Sequence, residues 1–385
     1  MEKKIVVVHF YDVLAYPPVI NLVDCLLANN QYVTLICFNG DSLPGRILNH
    51  KRFRLVNLKN LKNENIFDSF KIKKYLVTTG RKLVAKEMEH SDILWTTTDY
   101  TVRWLGKMVF KYKHIMQLME LIRYYPIIPK IMKYCKFKYP IQKVAQNAKK
   151  VVVPEINRAY IQKTWWNLNS VPSVLPNKPY YFPLEEQVHD DNIQEKIELI
   201  KKDKRKKILY SGGMWGDRDF SQLIESMSII GSEYSLYFMG ILPESYKDKF
   251  YSMIEGKNNI IYLGLFPAPL HLLLYKYADI GVLPYKAGKF DDITYLSELN
   301  ALYCAPNKLF EYAGAGLPMI GTDVLGLRMA FEKYNIGVCC SKLSGEELKN
   351  GIIYIEHNYL EMKENCRKFY DSVDLDKIVM DVIDI

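Results

Sequence analysis

Short apolar runs and longer amphipathic stretches alternate along almost the whole chain. KKIVVVHF (residues 3–10) is short, β-branched and unbroken by polar positions, which predicts a strand buried on both faces. Pro17-Pro18 then suits the first turn of a helix running through 19–29. YVTLICFN (32–39), RFRLVNL (52–58), DILWTTTD (92–99) and KKVVVPE (149–155) read as further strands separated by helical stretches. Residues 181–206 are densely charged and read as a linker region with little core potential. The pattern then restarts. KKILYSG, YSLYFMGI, NNIIYLGLF, DIGVLPYK, LPMIGTD and IGVCCS follow at roughly regular spacing, with helices expected at 220–230, 244–256, 268–278, 306–314 and 324–335. The predicted fold class is α/β, two Rossmann-like doubly wound domains facing a cleft. The expected division is 1–180 and 181–365, with 366–385 a terminal helix packing back on the first domain.

Composition narrows this only a little. With 49% hydrophobic and 25% charged residues in 385, the chain has ample material for two cores. No uncharged apolar stretch reaches the length of about 18 residues that spanning a bilayer needs. The opening MEKKIVVVHFYD lacks a cleavage site and reads as a first strand, not a signal peptide. Seven cysteines without a CxxC pair argue against a disulfide framework or structural zinc and suit a reducing cytosol.

Charge is more informative. Residues 101–150 hold twelve Lys or Arg and one acid, Glu120, leaving −2 for the rest of a chain whose net charge is +9. A localised cationic patch points to a polyanion: nucleic acid, an anionic membrane or a phosphorylated lipid. Arg103, Lys107 and Lys111 recur at helical spacing near Trp104 and Phe110, and Lys133 and Lys136 stand among aromatics in PKIMKYCKFKY (129–139). Basic residues interleaved with aromatics suit a membrane interface. The plain alternative is a solvated helix face. Nucleic acid is not expected as a partner, because no reading module for it is visible.

Two segments of the second half carry candidate chemistry. After the strand KKILYSG, Gly212 and Gly213 allow close backbone approach to a ligand, and Arg218 offers a charge-assisted contact to phosphate. In CAPNKLFEYAGAGLPMI (304–320), Pro306 suits a helix start, and Asn307 and Lys308 lie by its positive end, where a diphosphate is stabilised. Glu311 follows one turn later with a carboxylate able to accept two hydroxyl hydrogens, as a ribose presents them. The alternative is a capped surface helix with a solvated Glu.

PNKLFEYAGAGLPMI resembles the donor-site signature of GT-B glycosyltransferases, particularly the family 4 type of bacterial polysaccharide synthesis. YSGG with Arg218, DIGVLPY and GTDVLGLRMAFEKYNIGV extend the likeness, as do PEINRA (154–159) and LPNKP (175–179); residues 150–340 match well and the first 150 poorly. The resemblance implies that Glu311 binds the donor ribose, that Arg218 and Lys308 contact the nucleotide diphosphate, and that Gly212 and Gly213 lie beneath it. The family's first acid stands eight positions before Glu311; Tyr303 occupies that place here, which leaves sugar identity open. In the first half, Met119 and Glu120 fall where the family carries a His or a His-acid pair. Glu120 is either a functional carboxylate or a salt-bridged acid beside Arg123 or Lys113.

The expectation is therefore a glycosyltransferase with Glu120, Asp99, Arg218 and Lys308 as catalytic candidates and Gly212, Gly213, Arg218, Asn307, Lys308, Glu311 and Tyr303 around the donor. Its substrates would be a nucleotide-sugar and a polyprenyl-linked or growing glycan, with retention of configuration implied by the resemblance. No cofactor and no metal are expected: the one adjacent carboxylate pair, Asp291-Asp292, falls in a long loop. The expected place is cytoplasmic, peripheral on the inner face of the membrane. A nucleotide-sugar 2-epimerase of the same fold and a non-enzymatic polyanion binder are the alternatives.

Overall fold

A computed structural model describes residues 2–59, 66–123, 141–183, 190–214, 220–266, 268–285 and 298–385, with 66–70 by backbone alone. The chain divides into two units: Met1–Tyr180 with Lys289–Asn300 and Asp374–Ile385, and Tyr181–Gly288 with Ala301–Val373.

Among the described residues the first unit is built on seven parallel strands: β1 (Lys4–Asp12), β2 (Tyr32–Phe38), β3 (Phe53–Asn57), β4 (Ile93–Thr97), β5 (His114–Gln117), β6 (Lys150–Val153) and β7 (Ser173–Val174). Their order is β3-β2-β1-β4-β5-β6-β7. Ile5, Val6, Val7 and Val8 are all buried, so neither face of β1 meets water, which is why its sequence shows no polar alternation. The order reverses between β1 and β4, and the carboxyl ends of those strands carry His9, Tyr11, Thr98 and Asp99. Helix α1 (Pro17–Ala28) covers the sheet, and the terminal helix Leu375–Ile383 packs on α1. There Asp376 accepts hydrogen bonds from Asn29 Nδ2 at 2.5 Å and the Tyr180 hydroxyl at 3.0 Å.

The second unit repeats the design with β8 (Lys206–Ser211), β9 (Tyr234–Met239), β10 (Ile260–Tyr262), β11 (Ile280–Leu283), β12 (Met319–Thr322) and β13 (Gly337–Cys340). The described order is β10-β9-β8-β11-β12-β13, all parallel, with its reversal between β8 and β11. Gly212, just past β8, has φ +137°, and a β-carbon on Gly240 would sit 2.2 Å from the Gly212 carbonyl oxygen. Both positions need glycine, for conformation and for close approach respectively.

Two sequence readings change. The charged stretch read as a linker contains a helix, Asp191–Lys202, whose N-cap Asp190 accepts from the Ile193 N–H at 3.1 Å. Ile193, Ile197 and Ile200 line one face and are buried in the core. The charges that hid this stripe occupy its solvent side. The helix expected over 268–278 contracts to Leu272–Tyr275, because Leu272, Leu273 and Leu274 bond back three residues to Pro269, Leu270 and His271 in tight turns.

Candidate active site

Helix α2 (Asn307–Gly314) starts after Pro306, which supplies no side-chain acceptor to the first-turn N–H groups. Its Tyr312 is fully buried and ties the helix to the sheet: the hydroxyl accepts from the Ser211 N–H at 3.0 Å and donates to the Leu209 carbonyl at 3.1 Å. Gly281 makes room, since a β-carbon there would lie 2.5 Å from the Tyr312 ring. This anchorage sets the residues beside Tyr312, Lys308 one turn before it and Glu311 next to it, at the carboxyl ends of β8 and β11.

Lys308 and Glu311 lie three apart, on one side of α2. Lys308 is only 8% exposed. Its ammonium sits 5.4 Å from the ring centroid of Tyr210, on β8, and 5.5 Å from that of Tyr285, just beyond β11. Aromatic faces attract a cation by about 0.5–2 kcal/mol each. A charge is thus held at the crossover point of the sheet, where ligands of such folds bind.

Glu311 is 4% exposed. Its Oε2 lies 2.9 Å from the Tyr275 hydroxyl, and its Oε1 lies 3.4 Å from His271 Nε2. The Tyr275 hydroxyl is also 2.8 Å from Ser211 Oγ. It has one proton, so it donates to the carboxylate and accepts from the serine. Burial alone would raise the Glu311 pKa; the His271 charge and hydrogen bond, the Tyr275 hydroxyl and Lys308 more than offset it, and the carboxyl is held below its ordinary value. The helix is therefore neither surface-exposed nor its Glu solvated. His271 and Tyr275 were missed in the sequence. The available signal was two polar side chains four apart in the apolar run PAPLHLLLY.

The other donor candidates are placed as follows. Asn307 opens α2 and is half-buried. Gly213 accepts from the Tyr210 hydroxyl at 2.8 Å, so the glycine loop and the Lys308 ring cage share a residue. Tyr303 is half-buried in the turn before α2, its carbonyl carbon 3.0 Å from where a Gly326 β-carbon would stand. Arg218 and the pair Asp291-Asp292 lie outside the described residues.

In the first unit, Asp99 begins the helix Asp99–Leu105, preceded by N-cap Thr98, a β-branched residue at φ +64°. Such a residue with positive φ is an outlier, and outliers of this kind cluster at functional sites. Burial raises Asp99 to about 6, against the opposing pull of Arg103, and Glu120 adds to the rise. Glu120 itself is 49% exposed, and its partner is neither Arg123 nor Lys113 but the buried Arg158, at 3.7 Å. Arg158 also donates to the carbonyls of Met119 and Asn300, both at 2.9 Å. Asp12 accepts from the Leu14 N–H at 3.0 Å and from Asn39 Nδ2 at 2.6 Å. His9 is fully buried, 2.8 Å from Thr97 Oγ1, and burial depresses it to about 3, so it is neutral.

The basic segment is not one helix. Gly106 takes φ +59° and ends the first helix, and a 3-10 turn, Gly106–Lys111, follows. Arg103, Lys107 and Lys111 therefore do not share a continuous helical face. Lys107, Lys111 and Phe110 are exposed, whereas Trp104 is 4% exposed and packs on Tyr100 at 5.7 Å. Trp104 thus belongs to the core and is not a membrane anchor; ring-to-core packing outweighs its amphipathic sequence context. Lys133 and Lys136 lie outside the described residues. Among the described residues no helix is long and apolar enough to cross a membrane.

Neither a protein-family model nor a protein of curated function matches this chain in sequence. Solved structures do match in shape. Anabaena HepE, in complex with UDP and glucose, superposes with TM-score 0.65 at 11% identity, covering 99% of this chain and 98% of its own. The chain has the GT-B fold. WaaG, a glycosyltransferase involved in lipopolysaccharide biosynthesis, matches this GT-B chain with TM-score 0.60 and 15% identity over 98% of both. A candidate UDP-N-acetylglucosamine 2-epimerase from Listeria monocytogenes gives 0.62 and 12% over 100% and 96%. GT-B architecture therefore accommodates more than one chemistry, and the reaction has to be argued from the residues.

Proposed function

We propose that this protein is a glycosyltransferase that moves a sugar from a nucleotide-sugar to a lipid-linked or growing bacterial glycan of a capsule, exopolysaccharide or lipopolysaccharide. The observation that carries the reading is the placement of Lys308 and Glu311, both buried on one side of one helix, at the carboxyl ends of β8 and β11. A buried carboxylate with unused lone pairs suits a ribose diol, and a buried ammonium suits a diphosphate. HepE, of the same fold, is solved with UDP and glucose.

In this reading Glu311 takes the ribose hydroxyls. Lys308, Asn307, Arg218 and the Gly212-Gly213 loop hold the diphosphate, with Tyr303 near the sugar. The bond from sugar C1 to the diphosphate oxygen breaks, and one from C1 to an acceptor oxygen forms. Charge on the leaving diphosphate grows as the bond stretches, and the low-dielectric setting of Lys308 makes its stabilisation effective. The acceptor hydroxyl loses its proton to a base, for which Asp99 and Glu120 are our candidates. Retention of configuration, independence of metal, and work on the inner membrane face through Lys107, Lys111, Phe110 and the basic residues around them belong to the same proposal. Nucleic acid is not proposed as a partner.

The test is a thermal-shift screen against UDP-, GDP-, dTDP- and CMP-sugars, followed by product analysis with lipid-linked acceptors. A ligand at 100 times its Kd stabilises by about 2.7 kcal/mol. No shift with any of them rejects the reading. A nucleotide-sugar 2-epimerase is the second reading, favoured by the Listeria neighbour; epimerised nucleotide-sugar formed without an acceptor would establish it instead.

A further inference from the structure

Glu311 faces a problem that the donor reading leaves open. A carboxylate removed from water needs partners, yet a ribose diol needs the same lone pairs. Two side chains from one short element resolve this. Tyr275 approaches Oε2 at 2.9 Å, and His271 Nε2 lies 3.4 Å from Oε1. One partner on each oxygen leaves lone pairs on both, out of about four in all. One lone pair per oxygen then remains for the two hydroxyls of a vicinal diol. The two rings brace one another edge to face, 5.7 Å apart at 86°. His271 Nδ1 is buried with no hydrogen-bond partner among the described residues, so the ring's polar work is directed at Glu311. With a proton on Nε2, the imidazole supplies a donor to the carboxylate.

We infer that His271 is a positioning residue for the donor site: it orients Glu311 so that the carboxylate takes both hydroxyls of a ribose, and so sets preference for ribo- over 2′-deoxyribonucleotides. This rests on the reading of Glu311 as the ribose ligand.

The experiment measures Kd for UDP and for 2′-deoxyuridine diphosphate by calorimetry, with unfolding midpoints recorded alongside. Wild type should prefer UDP about tenfold, equivalent to about 1.4 kcal/mol. Glu311→Gln should abolish the preference. His271→Leu, which keeps bulk and removes the donor, should reduce it to about twofold or less. His271→Gln, whose amide N–H reaches toward Glu311, should restore most of it. A merely structural histidine would lower the midpoint and leave the ratio alone. The inference is overturned if His271→Leu keeps the wild-type ratio, or if His271→Gln loses it as fully. Should His271→Leu not fold, His271→Asn, one methylene too short, replaces it with the same expectation. Failure of the underlying reading looks different: wild type then binds both nucleotides equally or neither, and Glu311→Gln changes nothing.

Discussion

Replacing Glu311 by glutamine separates binding from folding. The side chain keeps its volume, so no cavity opens. Its single carbonyl oxygen can still accept from Tyr275, now 2.9 Å from Oε2, but the charge is gone and the amide nitrogen is no acceptor. Two hydroxyl bonds to a carboxylate contribute about 1.5–3 kcal/mol each. Losing roughly 3 kcal/mol of that total weakens UDP binding by about 150-fold. Stability should move by only about 1 kcal/mol, because the lost attraction of His271 and Lys308 is offset by relief of a buried charge. Alanine is the poorer probe. It leaves the Tyr275 hydroxyl and His271 Nε2 unpaired in a new void, a cost of about 2–4 kcal/mol. The pH must be chosen with the sign in mind. The folded carboxyl is held below its ordinary value, so its stabilising contribution is complete above that ordinary value and is lost as pH falls through the folded one. Titration calorimetry with UDP and urea unfolding, both at pH 7, read the two quantities. If the glutamine variant binds UDP within about threefold of wild type, Glu311 does not hold the ribose; if it loses several kcal/mol of stability, the residue is structural.

The remaining predictions concern the first unit and the metal question. If Asp99 is the base, kcat/KM should rise about tenfold per pH unit below a limb near 6 and flatten above it, and Asp99→Asn should remove the limb; a wild-type profile without it rejects Asp99. The same raised value implies that any stability Asp99 confers is present at low pH and fades as pH rises through about 6. Turnover should survive EDTA, because in the proposed reading Lys308 and the open end of its helix stabilise the diphosphate; loss restored by Mn²⁺ or Mg²⁺ would contradict this and direct attention to Asp291-Asp292. The pair Lys107→Glu and Lys111→Glu should weaken pelleting with acidic liposomes at least 30-fold at low salt, at about 1 kcal/mol per lost cation, without changing UDP affinity; unchanged pelleting removes the membrane dock.

Most of the architecture was legible because parallel strands declare themselves. β1 and β8 are apolar on both faces, and each is followed by turn residues and a helix. The failures have one physical cause, that local composition can mask or mimic a face. In Asp191–Lys202, charges crowd the solvent side and bury the signal of Ile193, Ile197 and Ile200. Around Arg103–Lys111 the opposite occurs. The basic spacing mimics a helix stripe, but Gly106 turns the backbone to positive φ and breaks it, and Trp104, on the helix before it, is buried in the core.

The site divides along a different line. PNKLFEY names the residues of one helix, and the two candidates on it, Lys308 and Glu311, are both buried. Their partners belong to other elements: Tyr210 and Tyr285 at the ends of β8 and β11 for the ammonium, His271 and Tyr275 for the carboxylate. β8 and β11 pair only because the chain crosses over, and Tyr275 stands 36 residues before Glu311. No spacing rule in the linear chain encodes such a meeting. Yet a buried lysine and glutamate require partners on energetic grounds, since an isolated charge in a core costs several kcal/mol. The burial of both residues in the folded chain thus accounts for the cage around them. The polar residues breaking the apolar run PAPLHLLLY were the place to look for one of its walls, because an apolar segment has no local reason to carry histidine four residues from tyrosine.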